Sequence, residues 1–164
     1  LYAADAIRGL LSIDRSGKLR VLADTMAGEP IRYADAVAVA MDGKIYFTDA
    51  SRRFAPRDWG GTFEASVLDI LENSATGRVL VYDPAAAASG GAAVQVVAGG
   101  LSFANGIVLT RSVIGLNDTP STGRVVACGK HHTANTATPI EITDTNTRLR
   151  IVMTIPHSFL IEAH

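Results

Sequence analysis

The chain has 164 residues, 48% of them apolar and 19% charged, which is enough for one domain with a real core and far from the composition of a disordered segment. Its 15 basic and 16 acidic residues leave a net charge of −1. No basic run exceeds Arg52-Arg53, so the sequence offers no electrostatic footprint for nucleic acid or an anionic membrane, and a small neutral ligand fits better. No apolar stretch approaches the roughly 20 residues of a membrane span, and no basic-then-apolar leader is present. The sequence starts at Leu1 rather than Met, which leaves the compartment open. The single cysteine, Cys128, has no partner for an internal disulfide and reads as a buried thiol.

In chain order, LYAADA (residues 1–6) and GLLSID (9–14) are short β-forming runs, and Ser16-Gly17 marks the turn into RVLA (20–23). The segment YADAVAV (33–39) follows, and Asp42-Gly43 signals a two-residue hairpin turn into IYFTDA (45–50). Residues 51–76 form an insertion. Within it, apolar side chains at 63, 67, 70 and 71 trace the stripe of a helix, with Thr62 as its expected N-cap and Glu64 well placed in the first turn. A helix of this kind on one end of a β-scaffold is expected to cover a cavity, the plain alternative being a surface helix. GRVLVYD (77–83), a low-complexity loop over Ala85–Ala93, QVVA (95–98) and FANGIVL (103–109) complete the patterned region.

These pieces are not independent. LYAADA returns as IYFTDA, GLLSID as GRVLVYD, RVLA as QVVA, and YADAVAV as FANGIVL, four matches in one order. A repeated unit of four short strands predicts the blades of a β-propeller, an all-β fold. One blade spans about 35–100, residues 1–24 supply the outer three strands of the blade before it, and Ala104–Thr110 opens the next.

In a propeller the innermost strands surround a central channel. Asp35 and Asn105 therefore stand at equivalent points of two neighbouring blades, each offering oxygen to that channel, a donor set suited to calcium. The competing reading is that they cap turns through their own backbone.

The stretches LYAADAIRGLLSID, YADAVAVAMDGKIYFTDAS, SVLDILENSATGRVLVYDP and GGLSFANGIVLT resemble the strictosidine-synthase-like family, within the gluconolactonase, regucalcin and paraoxonase type of six-bladed propellers. The resemblance covers residues 1–110. It implies a partial six-bladed propeller of about two blades with one short helix. It also implies a parent that hydrolyses small lactones or esters with calcium, and metal ligands at Asp35 and Asn105. Many relatives have Asn-Asp where this chain has Asp35-Ala36, so the first ligand is altered. The loop after the second strand places Asp49, Ser51 and Trp59 as expected pocket-lining residues, with the helix at 63–72 beside them. Strictosidine synthase itself joins an amine to an aldehyde with a glutamate from a late blade, and no such region is identifiable here.

From Arg111 the repeat is lost. All four histidines and nine of the fourteen threonines follow residue 110, so residues 111–164 read as an atypical tail. Ile140–Ile155 has the alternation of a hairpin about Asp144–Thr147, Asn117-Asp-Thr119 fits a glycosylation sequon, and Lys130-His-His132 reads as solvated loop rather than a metal site. Two blades cannot close a ring. The chain as it stands is therefore expected to be an incomplete, inactive propeller whose open strand edges favour self-association.

Overall fold

The computed structural model describes residues 1–111, 123–131 and 150–151, with side chains through Leu109. Three strands, β1 (Tyr2–Asp5), β2 (Gly9–Ile13) and β3 (Leu19–Ala23), form one antiparallel sheet in the order β1-β2-β3. A two-stranded hairpin, β4 (Thr25–Met26) and β5 (Glu29–Pro30), carries the chain to the second sheet. That hairpin turns through Ala27 and Gly28, both at positive φ. The sequence reading passed over it because its strands are only two residues long.

The second sheet begins with the meander β6 (Ala34–Val39), β7 (Ile45–Asp49), β8 (Gly77–Tyr82) and β9 (Val94–Arg111), all antiparallel. This is the four-stranded blade expected over 35–100. Together with the three outer strands of its predecessor, it makes the protein a partial β-propeller. Strand β9 runs straight on from the outer edge of this blade into the inner strand of the next: Val94–Leu101 pairs with β8, and Leu101–Arg111 pairs with β10 (Gly123–His131). The chain changes direction there without leaving the ladder, at Gly100 (φ 71°) and Phe103 (φ 48°). As a result β9 lies alongside β6, although β8 and β7 separate them in sheet order.

Beyond β9 the ladder corrects one expectation. Lys130 and His131 belong to β10 rather than to a loop, and β11 (Arg150–Ile151) pairs parallel to β10. The expected hairpin over 140–155, apart from Arg150–Ile151, and the Asn117 sequon lie outside the described residues.

The hairpin at Asp42-Gly43 also differs from the two-residue turn expected. Gly43 N–H bonds Ala40 O at 3.0 Å and Ala40 N–H bonds Lys44 O at 2.9 Å, so three residues form the loop. Gly43 takes the left-handed position at φ 86°, where a side chain would be strained. The turn at Ser16-Gly17 repeats this geometry, with Gly17 N–H on Asp14 O and Asp14 N–H on Lys18 O, both at 3.1 Å.

The insertion contains α1 (Thr62–Glu72), but its cap and its orientation depart from expectation. Thr62 is the first helical residue, not the cap; Gly61 caps with no side-chain bond, and Asn73 ends the helix in the left-handed conformation. The apolar stripe faces outward, with Phe63, Val67, Ile70 and Leu71 exposed by 74, 36, 53 and 78%. Its inward face is Ala65 and Asp69, both fully buried. The reason is polar: one Asp69 carboxylate oxygen accepts from the Ser51 and Ser74 hydroxyls, each at 2.6 Å, which tethers the helix through a buried acid. A second short helix, α2 (Pro84–Ala88), takes up the first part of the loop expected over Ala85–Ala93, with residues 89–93 remaining turn and loop, because Asp83 accepts from the N–H groups of Ala85 and Ala86 and Pro84 sits in the first turn.

The core lies between sheets. Leu10 and Ala23 from the first unit and Ile31 from the linker pack with Ala34, Ile45, Phe47, Leu80 and Tyr82 of the blade. On the other side, Tyr46 and Val79 pack against Leu101 and Ala104 of the strand that opens the next blade. Gly77 lies where strands crowd together: a Cβ there would meet Ala50 O at 2.6 Å and Leu101 O at 2.7 Å. Among the described residues no helix is long and apolar enough to cross a membrane.

Candidate functional site

The entry to β6 is fixed by the far end of β7. Asp49 is the last residue of β7, and its Oδ1 accepts the Tyr33 N–H at 2.9 Å, while Ala50 N–H bonds Tyr33 O at 2.7 Å. Arg78, directly opposite Asp49 on β8, donates Nε–H to Asp49 Oδ2 at 2.9 Å. Both are sealed, at 0% and 3% exposure. Burial pushes the Asp49 carboxyl above its usual value, partly offset by the Tyr33 N–H and the Arg78 guanidinium. Arg78 also reaches Glu29 Oε2 at 3.5 Å, which Arg52 holds at 3.2 Å.

Asp35 follows immediately, at a break in the ladder. Ala34 is opposite Asp49 and Val37 is opposite Phe47, so two residues, Asp35 and Ala36, face the single residue Thr48. This is a β-bulge, a device that re-aims side chains and collects at sheet edges and beside active sites. The Ala36 N–H, displaced from the ladder, donates to the Thr48 hydroxyl at 3.0 Å. The Asp35 side chain is exposed, although surrounding protein raises its carboxyl above the usual value by desolvation.

The repeat-related position behaves alike. Cys128 of β10 is opposite Gly106 and Lys130 is opposite Ser102, so Phe103, Ala104 and Asn105 fall inside a second register break. Phe103 is held at φ 48°, an uncommon conformation for an aromatic residue that costs about 1–3 kcal/mol and persists only where its surroundings enforce it. Its ring meets Tyr33 edge-on, 5.5 Å between centroids. Tyr33 is further anchored by its hydroxyl, which donates to Thr62 O at 2.7 Å in the first turn of α1. Burial, with the Asp35 and Asp69 charges, pushes that hydroxyl up to about 12, so it stays protonated. Asn105, like Asp35, is exposed.

The two residues singled out as ligands thus each sit in a register break at the start of an inner strand, two residues beyond aromatics that touch each other. The residues expected to line a pocket are distributed differently. Asp49 and Ser51 are fully buried and engaged internally, Asp49 with Tyr33 and Arg78, Ser51 with Asp69. Trp59 is about half exposed and stacks edge-on against Phe54 at 5.2 Å. A groove of about 620 Å³ opens between the first sheet, the β4–β5 hairpin and the loop after Asp49, with Arg8, Arg32, Arg57, Asp24 and Asp58 on its walls. Of the expected pocket formers, the loop contributes Ala55, Arg57 and Asp58 to it, and α1 contributes nothing. Among the described residues no group of three or more His, Cys, Asp or Glu side chains could hold a metal ion.

Two participants escaped the sequence reading. Arg78 was legible, because pairing IYFTDA with GRVLVYD as antiparallel neighbours sets Asp49 across from Arg78. Thr48 was not, since a bulge leaves no mark in YADAVAV.

Comparison with known proteins agrees with this architecture. Residues 35–114 match the family model for strictosidine synthase. The chain is 39% identical over 111 residues to Protein STRICTOSIDINE SYNTHASE-LIKE 4 of Arabidopsis thaliana, covering 67% of this chain and 27% of that protein. It is 37% identical over 112 residues to Protein STRICTOSIDINE SYNTHASE-LIKE 13 of the same plant, covering 68% and 25%. It is 32% identical over 115 residues to the human adipocyte plasma membrane-associated protein, covering 67% and 25%. Through this segment the chain belongs to the strictosidine-synthase-like family of β-propellers. It spans about a quarter of the length of these relatives.

Proposed function

We propose that the parent propeller is a divalent-cation-assisted hydrolase of small lactones or esters, and that this chain supplies two oxygen ligands of its ion site, Asp35 and Asn105. The observation that supports this reading is the paired register break. Two repeat-related positions, on strands that lie side by side, each carry a hard oxygen donor exposed at a bulge. The donor types fit calcium, which takes six to eight oxygens, so the chain would provide a minority of the shell and the remaining blades the rest. A cation held there supplies positive charge that polarises an ester or lactone carbonyl. The contribution of this chain is orientation: the Asp49–Arg78 pair latches Tyr33, and Tyr33 with Phe103 sets the two inner strands against each other.

The test is hydrolysis of phenyl acetate and a γ-lactone by a full-length relative, with and without calcium, beside its alanine variant at the position matching Asp35. A calcium-dependent rate that falls in the variant is expected. Equal rates would remove the ion from the mechanism.

The raised Asp35 carboxyl gives a pH signature. A proton competes with the cation for this group, and because the carboxyl lies above its usual 3.8, competition begins at higher pH than for a free aspartate. Calcium affinity is therefore expected to fall on acidification before pH 3.8 is reached, and Asp35→Asn to flatten that dependence, as read by calcium titrations between about pH 4 and 7.

The 164-residue chain by itself supports a second reading, a non-catalytic, self-associating propeller fragment. The supporting observation is β1, which ends the first sheet with no described strand hydrogen-bonded to its free edge. Such an edge templates further strand pairing. Size-exclusion chromatography is expected to show concentration-dependent oligomers; a compact monomer at all concentrations would contradict this reading.

A further inference from the structure

We propose that Thr48 is the positioning residue of the ion site: its buried hydroxyl holds open the bulge that keeps Asp35 out of the core. This rests on the ion-site reading above and extends it to a residue that itself offers nothing to an ion. Ala34 and Val37 both pack into the cluster built on Phe47 and Ile45, although they are three residues apart. In an unbroken strand, side chains three apart face opposite sides of the sheet. Without the extra residue, either Val37 leaves that cluster or Asp35 joins Val37 on the core face. The bulge lets Ala34 and Val37 share the core while Asp35 remains exposed.

The bulge displaces one ladder donor, the Ala36 N–H, which needs a replacement acceptor because partly buried backbone groups are rarely left unpaired. Thr48 provides it at 3.0 Å. Thr48 is fully buried and lies directly across from the bulged pair, so its hydroxyl is fixed in place. Valine has the same shape without the acceptor, and serine has the acceptor without the methyl. The pair of substitutions separates hydrogen bonding from packing.

The experiment is a calcium chloride titration of the 15N-labelled chain followed by amide shifts, on the wild type, Thr48→Val, Thr48→Ser and Asp35→Ala. Supporting partners of metal ligands are worth about 10–100-fold in metal affinity. Thr48→Val is expected to weaken calcium binding by at least about tenfold, and Thr48→Ser by no more than about twofold. Unchanged binding by a folded Thr48→Val overturns the proposal, as does equal loss in Thr48→Ser. Asp35→Ala separates the two levels: if it binds calcium like the wild type, the ion-site reading itself fails. Should Thr48→Val not fold, the wild type decides through hydrogen exchange. Because coupling is reciprocal, calcium is expected to slow exchange of the Ala36 amide more than that of Tyr46 or Phe47 in the neighbouring strand. An Ala36 amide indifferent to calcium contradicts the role given to Thr48.

Discussion

Arg78→Met is expected to destabilise the chain by about 3–5 kcal/mol, because it leaves the Asp49 carboxylate buried without its cation. Asp49 has no exposed surface and gains nothing from solvent screening when Arg78 is removed. Only the backbone N–H groups of Tyr33 and Arg32 would face the charge, and strain would fall on the β6 entry that the Tyr33 bond fixes. The pH dependence has a definite sign. The Asp49 carboxyl already lies above its ordinary 3.8 in the folded chain, and loss of Arg78 raises it further. Between 3.8 and that raised value the folded state holds more protons than the unfolded one, so stability falls as pH rises through the window and recovers as pH falls back. The gap between wild type and Arg78→Met should therefore narrow on acidification from neutral pH toward about pH 4. Urea unfolding at several pH values measures it. A gap that widens with acid would mean that Asp49 is not the group left exposed to the loss.

Phe47→Ala is expected to cost about 3–5 kcal/mol, the range for removing a fully buried aromatic ring. Phe47 sits mid-strand on β7, opposite Val37 on one side and Leu80 on the other, and has no exposed surface. Its cluster includes Leu10 and Ala23 from the first sheet and Ile31 from the linker after β5, so the cavity would open at the seam between the two propeller units. Phe47→Leu fills much of that space and should cost clearly less. If Phe47→Ala lost under about 1 kcal/mol in urea unfolding, the seam would not be the packed junction described.

Much of this architecture was legible in the sequence because a strand repeat leaves a period. The four strands of the blade follow from LYAADA/IYFTDA, GLLSID/GRVLVYD and their companions, and the loop ends follow from glycine and aspartate. Side-chain direction was less legible. The stripe at Phe63, Val67, Ile70 and Leu71 announces a helix correctly, yet faces away from the core because Asp69 is held inside by Ser51 and Ser74. Period alone assigns the wetter face to solvent, and a buried hydroxyl–carboxylate tether reverses it. The same holds at the candidate site. YADAVAV read as plain alternation puts Asp35 and Val37 on one face, whereas the register break opposite Thr48, with the displaced Ala36 N–H satisfied there, shows that they part. Such a contact joins residues 12 apart and is set by tertiary pairing, not by local pattern. The α2 turn was hidden for a simpler reason: its alanine-rich composition suggested a loop, while Asp83 and Pro84 together make an N-terminal cap.

Asp35 near the start of β6 and Asn105 at the register break within β9 are expected to serve one ion together. Titration with manganese, a paramagnetic stand-in for calcium, tests this directly through distance-dependent broadening of amide signals. Residues 34–36 and 104–106 are expected to broaden first and in parallel at low manganese. Broadening of one segment without the other, or earlier broadening around Asp42 or Asp58, would contradict a shared site.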